Sequence, residues 1–157
     1  VNAMLRKATK KDKEQWVRLN REIAEFDVSD DNLWGQIDHA KDEELAEVFS
    51  DALSNPQQIT IFMIEEEGQV IGFANTMTIF SIWSEGYALA VEEMYIRDDM
   101  QGRGLGKKVI KELEDYARTS GYRRLQFQSE NTSPQAEKLY GKLGYKPVSV
   151  SFYARYL

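Results

Sequence analysis

The chain has 157 residues, a net charge of −6, no cysteine and one histidine, His39. That length suits one domain, expected over residues 4–157, burying about two-thirds of the surface its unfolded chain would expose. The missing cysteines exclude disulfides, thiolate metal sites and a Cys nucleophile, and a single histidine argues against a structural zinc site, so no metal is expected.

Val1-Asn2-Ala3 ahead of Met4 reads as an expression scar and is set aside. MLRKA (4–8) predicts a short strand. Thr9 with Asp12 three residues on has the form of a capping box, and Trp16, Leu19, Ile23 and Phe26 then recur at helical spacing. DVSDDN (27–32) breaks that pattern. A second helix is predicted from about Asp42 to Ser54, stopped by Asn55-Pro56. ITIFMI (59–64) and VIGFANTMTIF (70–80) predict a hairpin around EEEGQ (65–69), and LAVEEMYI (89–96) a further strand. Leu105, Val109, Ile110, Leu113 and Ala117 mark a helix closed by Gly121, with a strand at RLQFQ (124–128). Ser133-Pro134 opens a last helix ended by Gly144, and VSVSFYARYL (148–157) alternates like a closing strand. The order βααβββαβαβ describes an α/β domain with a mixed sheet. No apolar run approaches the roughly 20 residues that span a bilayer and no signal peptide is visible, so a cytoplasmic protein without a membrane partner is expected.

RDDMQGRGLGKK (97–108) carries three glycines on alternate positions followed by two lysines. The dinucleotide fingerprint G-x-G-x-x-G fails on spacing. A P-loop fails too, because its first glycine falls on Gln101 and its Ser/Thr position holds Lys108. What survives is a strand, a turn and a helix start whose first N–H groups lack intrahelical partners and whose dipole favours an anion. The glycines allow close approach, and Arg103, Lys107 and Lys108 supply charge. Read alone, the stretch fits a pyrophosphate site, or a plain loop at a helix start.

Gln101-x-x-Gly104-x-Gly106 resembles the Q/R-x-x-G-x-G/A motif of the GNAT N-acetyltransferase superfamily. VEEMYIRDDMQGRGLGKKVIKELEDYA (91–117) is similar to that family's signature strand, loop and helix. AEKLYGKLGYKP (136–147) resembles its later A-x-x-L-Y-x-x-x-G-F/Y segment, and RKATKKDKEQW (6–16) its opening. The resemblance implies a mixed, mostly antiparallel twisted sheet of six to seven strands, with splayed parallel strands 4 and 5 and about four flanking helices. It further implies acetyl-CoA as donor, with no metal. The CoA pyrophosphate would lie on the backbone of Gln101, Gly102, Arg103, Gly104, Leu105, Gly106 and Lys107, and the pantetheine along Met94, Tyr95 and Ile96. Many members carry a CoA-contacting asparagine seven residues before the tyrosine; here that position is Ser133, with Asn131 nearby, and either could substitute.

Acetyl transfer needs a neutral amine, a stabilised oxyanion and a proton for the leaving thiolate. At neutral pH only about one alkyl amine in a thousand is uncharged, and a carboxylate within hydrogen-bond reach, directly or through one water, would serve as base. Glu92 and Glu93 sit mid-strand, and strict alternation would send them to opposite faces, leaving one for the acceptor. Glu92 is favoured as base because polyamine-acetylating relatives carry a glutamate at the matching place in L-E-D-x-[YF]-V; a structural glutamate is the other reading. By the same resemblance Tyr140 is the general acid for the CoA sulfur, although a core aromatic is the plainer reading of its position.

From Glu22 to Glu67 the chain holds 14 Asp/Glu and one Lys, Lys41. That balance suits a cationic acceptor met by Glu93, Phe26 and Trp34, or a solvated helix face. FSIWSEGYALAVEEMYI (80–96) is similar to the segment before the signature strand in polyamine and diamine acetyltransferases, which implies a small amine acceptor. Aminoglycoside and protein N-terminal or lysine acetylation share the same core, and a non-catalytic acyl-CoA-binding regulatory domain is the reading from another class. Nucleic acid is not expected, given the diluted basic residues. Dimers are common among relatives, so a homodimer is one assembly the resemblance allows.

Overall fold

The computed structural model describes residues 3–24, 41–128 and 134–157. Phe26, Trp34, Asn131, Ser133, His39 and the predicted break at 27–32 lie outside them. Five strands lie in chain order in one sheet: β1 (Leu5–Lys7), β2 (Ile59–Glu66), β3 (Gln69–Ser81), β4 (Gly86–Ile96) and β5 (Arg124–Phe127). The first four are antiparallel neighbours, and β4 pairs in parallel with β5. A parallel pair cannot be joined by a tight turn. The connection is α3 (Leu105–Thr119), which crosses over the sheet; α1 (Lys13–Ala24), α2 (Asp42–Leu53) and α4 (Pro134–Lys142) complete the described helices.

Each sheet face has its own apolar layer. Val109 and Leu113 of α3 pack with Phe62, Ile64, Ala74, Val91 and Ile96 on one side. Trp16, Val17 and Leu19 of α1 and Phe49 and Ala52 of α2 pack with Ile61, Met63 and Phe73 on the other. Each such fully buried side chain contributes about 1.5–3 kcal/mol over an exposed one, so the two layers fix both helical faces. The acidic residues Asp42, Glu43, Glu44, Glu47 and Asp51 of α2 are exposed, as on a solvated helix face.

The predicted cap at Thr9 is present: its backbone N–H donates to the Asp12 carboxylate at 2.7 Å, and a 3-10 turn over Lys10–Asp12 leads into α1. Asp12 is buried and takes both terminal guanidinium nitrogens of Arg6 at 2.8 Å, while Arg6 also reaches Glu65. The Arg6 contact holds the Asp12 carboxyl below its ordinary range.

Two expectations are corrected. The described sheet has five strands, not six or seven, and residues 148–157 form no strand, although they alternate as one should. Alternation prepares a segment for a ladder but does not supply the neighbour that a ladder needs. Among the described residues no helix is long and apolar enough to cross a membrane.

Gly72 of β3 faces β4 so closely that an added Cβ would lie 2.1 Å from the Tyr95 carbonyl oxygen. Backbone must move to accept it, so Gly72→Ala is expected to cost about 3 kcal/mol. In thermal unfolding that reads as a Tm lower by about 6–12 °C.

Candidate active site

The parallel pairing of β4 with β5 runs from Ala88 opposite Arg124 to Val91 opposite Phe127. β4 continues to Ile96, so among the described residues no strand pairs with its last five on the β5 side. Arg97 donates its backbone N–H to Ile71 of β3 at 2.9 Å. By alternation, Met94 and Ile96 turn their polar backbone atoms to the open edge, while those of Tyr95 turn to β3. The Gln101 side chain already occupies the Ile96 carbonyl, donating at 2.8 Å, and also reaches Asp98 at 3.1 Å. Gln101 thus pins the loop to the strand end, and among the described residues no strand pairs with the outer edge at Met94 and Ile96.

A β-bulge sits where β4 leaves β5. Glu93 is opposite Asn75 and Val91 is opposite Thr76, so Glu92 is an extra residue without its own partner. Val91, Met94 and Ile96 all pack on the α3 side, whereas Tyr95 packs on the α1–α2 side. Val91 and Met94 share a face although three residues apart, so the two residues between them share the other. This overturns the expectation that only one glutamate faces the acceptor: Glu92 and Glu93 are side by side on the α1–α2 face. Asn75 on that face accepts from the Trp16 indole at 2.9 Å. Next along it, the Tyr95 hydroxyl donates to Glu22 of α1 at 2.9 Å. Burial, then this hydrogen bond, push the Tyr95 phenol up to about 12.

Beyond β4, the chain turns through Gly102 (φ 79°) and Gly104 (φ 75°) into α3. Both angles lie in the left-handed region that glycine alone enters at little cost. A Cβ added at either would meet nothing within 4 Å, so the space over the loop is open. Gly104 caps α3 without a side chain, and the first N–H to reach back is that of Lys108, to the Gly104 carbonyl at 3.4 Å. The amides of Leu105, Gly106 and Lys107 therefore head the helix unclaimed by its own ladder, at its positive end. The three expected cations are not equivalent. Arg103 is held by Glu66 through two bonds of 2.8 and 3.0 Å, Lys108 lines a depression with Lys7, Glu112 and Tyr116, and Lys107 is exposed.

Tyr140 of α4 lies 5.0 Å, ring to ring, from Phe127 at the end of β5, and Tyr145 completes an aromatic trio with its hydroxyl donating to Glu114 at 2.6 Å. Burial first, and then the charge of Glu93, raise the Tyr140 phenol above its ordinary value. Glu93 is thus near enough to act on Tyr140, and the glycine loop is close by as well, since a Cβ on Gly106 would lie 3.6 Å from Leu139 of α4. Glu22, Asn75 and Glu66 escape a reading of the sequence, because each matters through a partner distant in the chain.

β4 thus runs on past its pairing with β5, and the glycine loop follows it into the start of α3. The model of the Acetyltransferase (GNAT) family matches residues 13–145, and the chain belongs to that family. It is an acyltransferase using acetyl-CoA as donor. The N-acetyltransferase YhfO of Bacillus subtilis, itself uncharacterized, is 28% identical over 68% of this chain and 72% of its own. The thialysine N-epsilon-acetyltransferase of Bos taurus is 26% identical over 90% of this chain and 82% of its own. A predicted acetyltransferase from Clostridium acetobutylicum, solved with acetyl-CoA, shares the fold with a TM-score of 0.71 and 20% identity, covering 96% of this chain and 94% of that one.

Proposed function

We infer that this domain, acting in the cytoplasm, acetylates a primary amine of a small cationic acceptor, polyamine- or diamine-like, by direct attack on the thioester. The β4 bulge carries this reading: two carboxylates on its α1–α2 face support a cationic acceptor there, and the charge of Glu93 reaches Tyr140. Glu92 takes the proton that leaves the ammonium, and Glu93 balances the remaining charge of the acceptor. The freed amine attacks the thioester carbonyl, the carbon–sulfur bond breaks, Tyr140 gives its proton to the thiolate, and the surplus proton on the new amide nitrogen restores the tyrosine. Loop amides from Leu105 to Lys107 hold the pyrophosphate of acetyl-CoA, with the Met94 and Ile96 edge along the pantetheine. The relative named for acetylating thialysine at its ε-nitrogen supports a small primary amine as acceptor.

One observation favours a second assignment: the charge of Glu93 reaches Tyr140, so Glu93 is also placed to be the base. Thiol release from acetyl-CoA, measured over diamines, polyamines, thialysine, aminoglycosides and a peptide amine, tests both. Turnover is expected with the small di- and polyamines. Glu92→Gln should then lower kcat about 100-fold, and Glu93→Gln should mainly raise the acceptor KM, by about tenfold. The reverse pattern would make Glu93 the base. Turnover confined to aminoglycosides or the peptide would overturn the acceptor class, and none with any amine would overturn the enzyme reading.

A further inference from the structure

The far end of α3 carries a cationic depression that acetyl transfer does not use. It has a volume of about 290 Å³ and opens where the last turn of α3, the start of β5 and the end of α4 meet. From Leu105 to Ala117 the helix rises about 18 Å, which separates the depression from the amides of the glycine loop.

Three guanidiniums line it: Arg118 on α3, Arg123 just ahead of β5 and Arg124 at its first position. Arg118 is 3.5 Å from Glu114, the one carboxylate among the described lining residues. Glu114 also accepts from the Tyr145 hydroxyl at 2.6 Å. Among the described residues neither Arg123 nor Arg124 has an acidic partner. Arg124 donates to neutral oxygens instead, to Gln126 at 2.8 and 3.0 Å, to Ser84 at 2.6 Å and to Ser81 at 3.2 Å. Two positive charges thus stand together without a counter-charge, on a chain of net charge −6.

Both are held in place. Those four bonds fix Arg124. The stem of Arg123 lies over Gly86, where an added Cβ would be 2.5 Å from its Cγ, and its backbone N–H donates to Tyr87 at 2.8 Å. A long side chain already fixed loses less entropy when it takes an anion. Tyr122, whose hydroxyl is engaged by Thr78, adds apolar wall together with Leu125 and Leu143.

We propose that this depression is a second anion site, which binds a phosphate monoester of a small ring-bearing molecule. Charge selects the phosphate. A monoester carries about −1.5 to −2 at neutral pH, which matches two unpaired guanidiniums, whereas a carboxylate brings one charge. The volume leaves room for the phosphate and one ring against the apolar wall, and is below that of the usual ligand pocket.

Calorimetric titration of the full chain with phenyl phosphate, with coenzyme A already saturating the donor site, tests this. One molecule per chain is expected to bind, and phenol, which lacks the phosphate, at least tenfold more weakly. Arg123→Gln keeps part of the stem over Gly86 and should weaken phenyl phosphate about tenfold at nearly unchanged Tm. Should that variant fail to fold, Arg118→Gln, at a side chain 74% exposed, carries the same expectation. The absence of saturable binding would overturn the proposal, as would phenol binding as tightly as its phosphate or parental affinity in both variants. Binding seen only without coenzyme A would overturn it too, by placing the phosphate at the glycine loop.

Discussion

Tyr140→Phe is expected to lower kcat about 100-fold while leaving the KM for acetyl-CoA within about a factor of two. The substitution keeps the ring against Phe127 and removes only the proton donor, so binding should survive while departure of the thiolate slows. A 100-fold loss corresponds to about 2.7 kcal/mol of transition-state stabilisation. The pH dependence separates this role from packing. Burial and Glu93 raise the Tyr140 phenol, so it stays protonated through neutral and mildly alkaline solution. The activity of the parent should rise with pH as the acceptor amine deprotonates, and should not turn down until above about pH 10. Glu93→Gln removes the second cause of that elevation, so any alkaline limb should move to lower pH. Unchanged kcat in Tyr140→Phe would remove the tyrosine from the chemistry and leave it as an aromatic anchor for α4.

Gly104→Val is expected to weaken acetyl-CoA binding at least tenfold by calorimetry. Two effects combine: a branched side chain enters the open space over the loop, and a left-handed residue with a Cβ costs about 1–2 kcal/mol. Gly121 provides the control. It lies beyond the other end of α3 with φ 81°, and a Cβ there also meets nothing within 4 Å. Gly121→Val should therefore lose comparable stability and keep its affinity for acetyl-CoA. Equal affinity in both variants would show that the loop does not hold the donor.

Most of the scaffold is legible in the sequence because it rests on period. The apolar spacing of Val109, Ile110, Leu113 and Ala117 predicts α3, and all four are buried along it. β-rich runs around EEEGQ predict β2 and β3, and the glycines at 102 and 104 predict a turn whose left-handed angles are found. The failures share a different cause. Two consecutive glutamates carry no sign of the bulge that turns them to the same face, because that bulge is a property of how β4 pairs with β3. Arg103 reads as a phosphate cation until its partner Glu66, 37 residues away, is brought beside it. Residues 148–157 have the pattern of a strand, but pattern does not say which edge receives it. Phe26 and Trp34, expected from the sequence to meet the acceptor, lie outside the described residues, as do Asn131 and Ser133.

The bulge also divides labour within β4. Its open edge, through Met94 and Ile96, is backbone and nearly indifferent to side-chain identity. Its α1–α2 face, through Glu92, Glu93 and Tyr95, is side chain and so open to substitution. On the proposed function, donor and acceptor are thereby written in separate alphabets on one strand, so that changes on that face, or at α1 residues such as Glu22 that meet it, would revise the acceptor without disturbing the grip on acetyl-CoA.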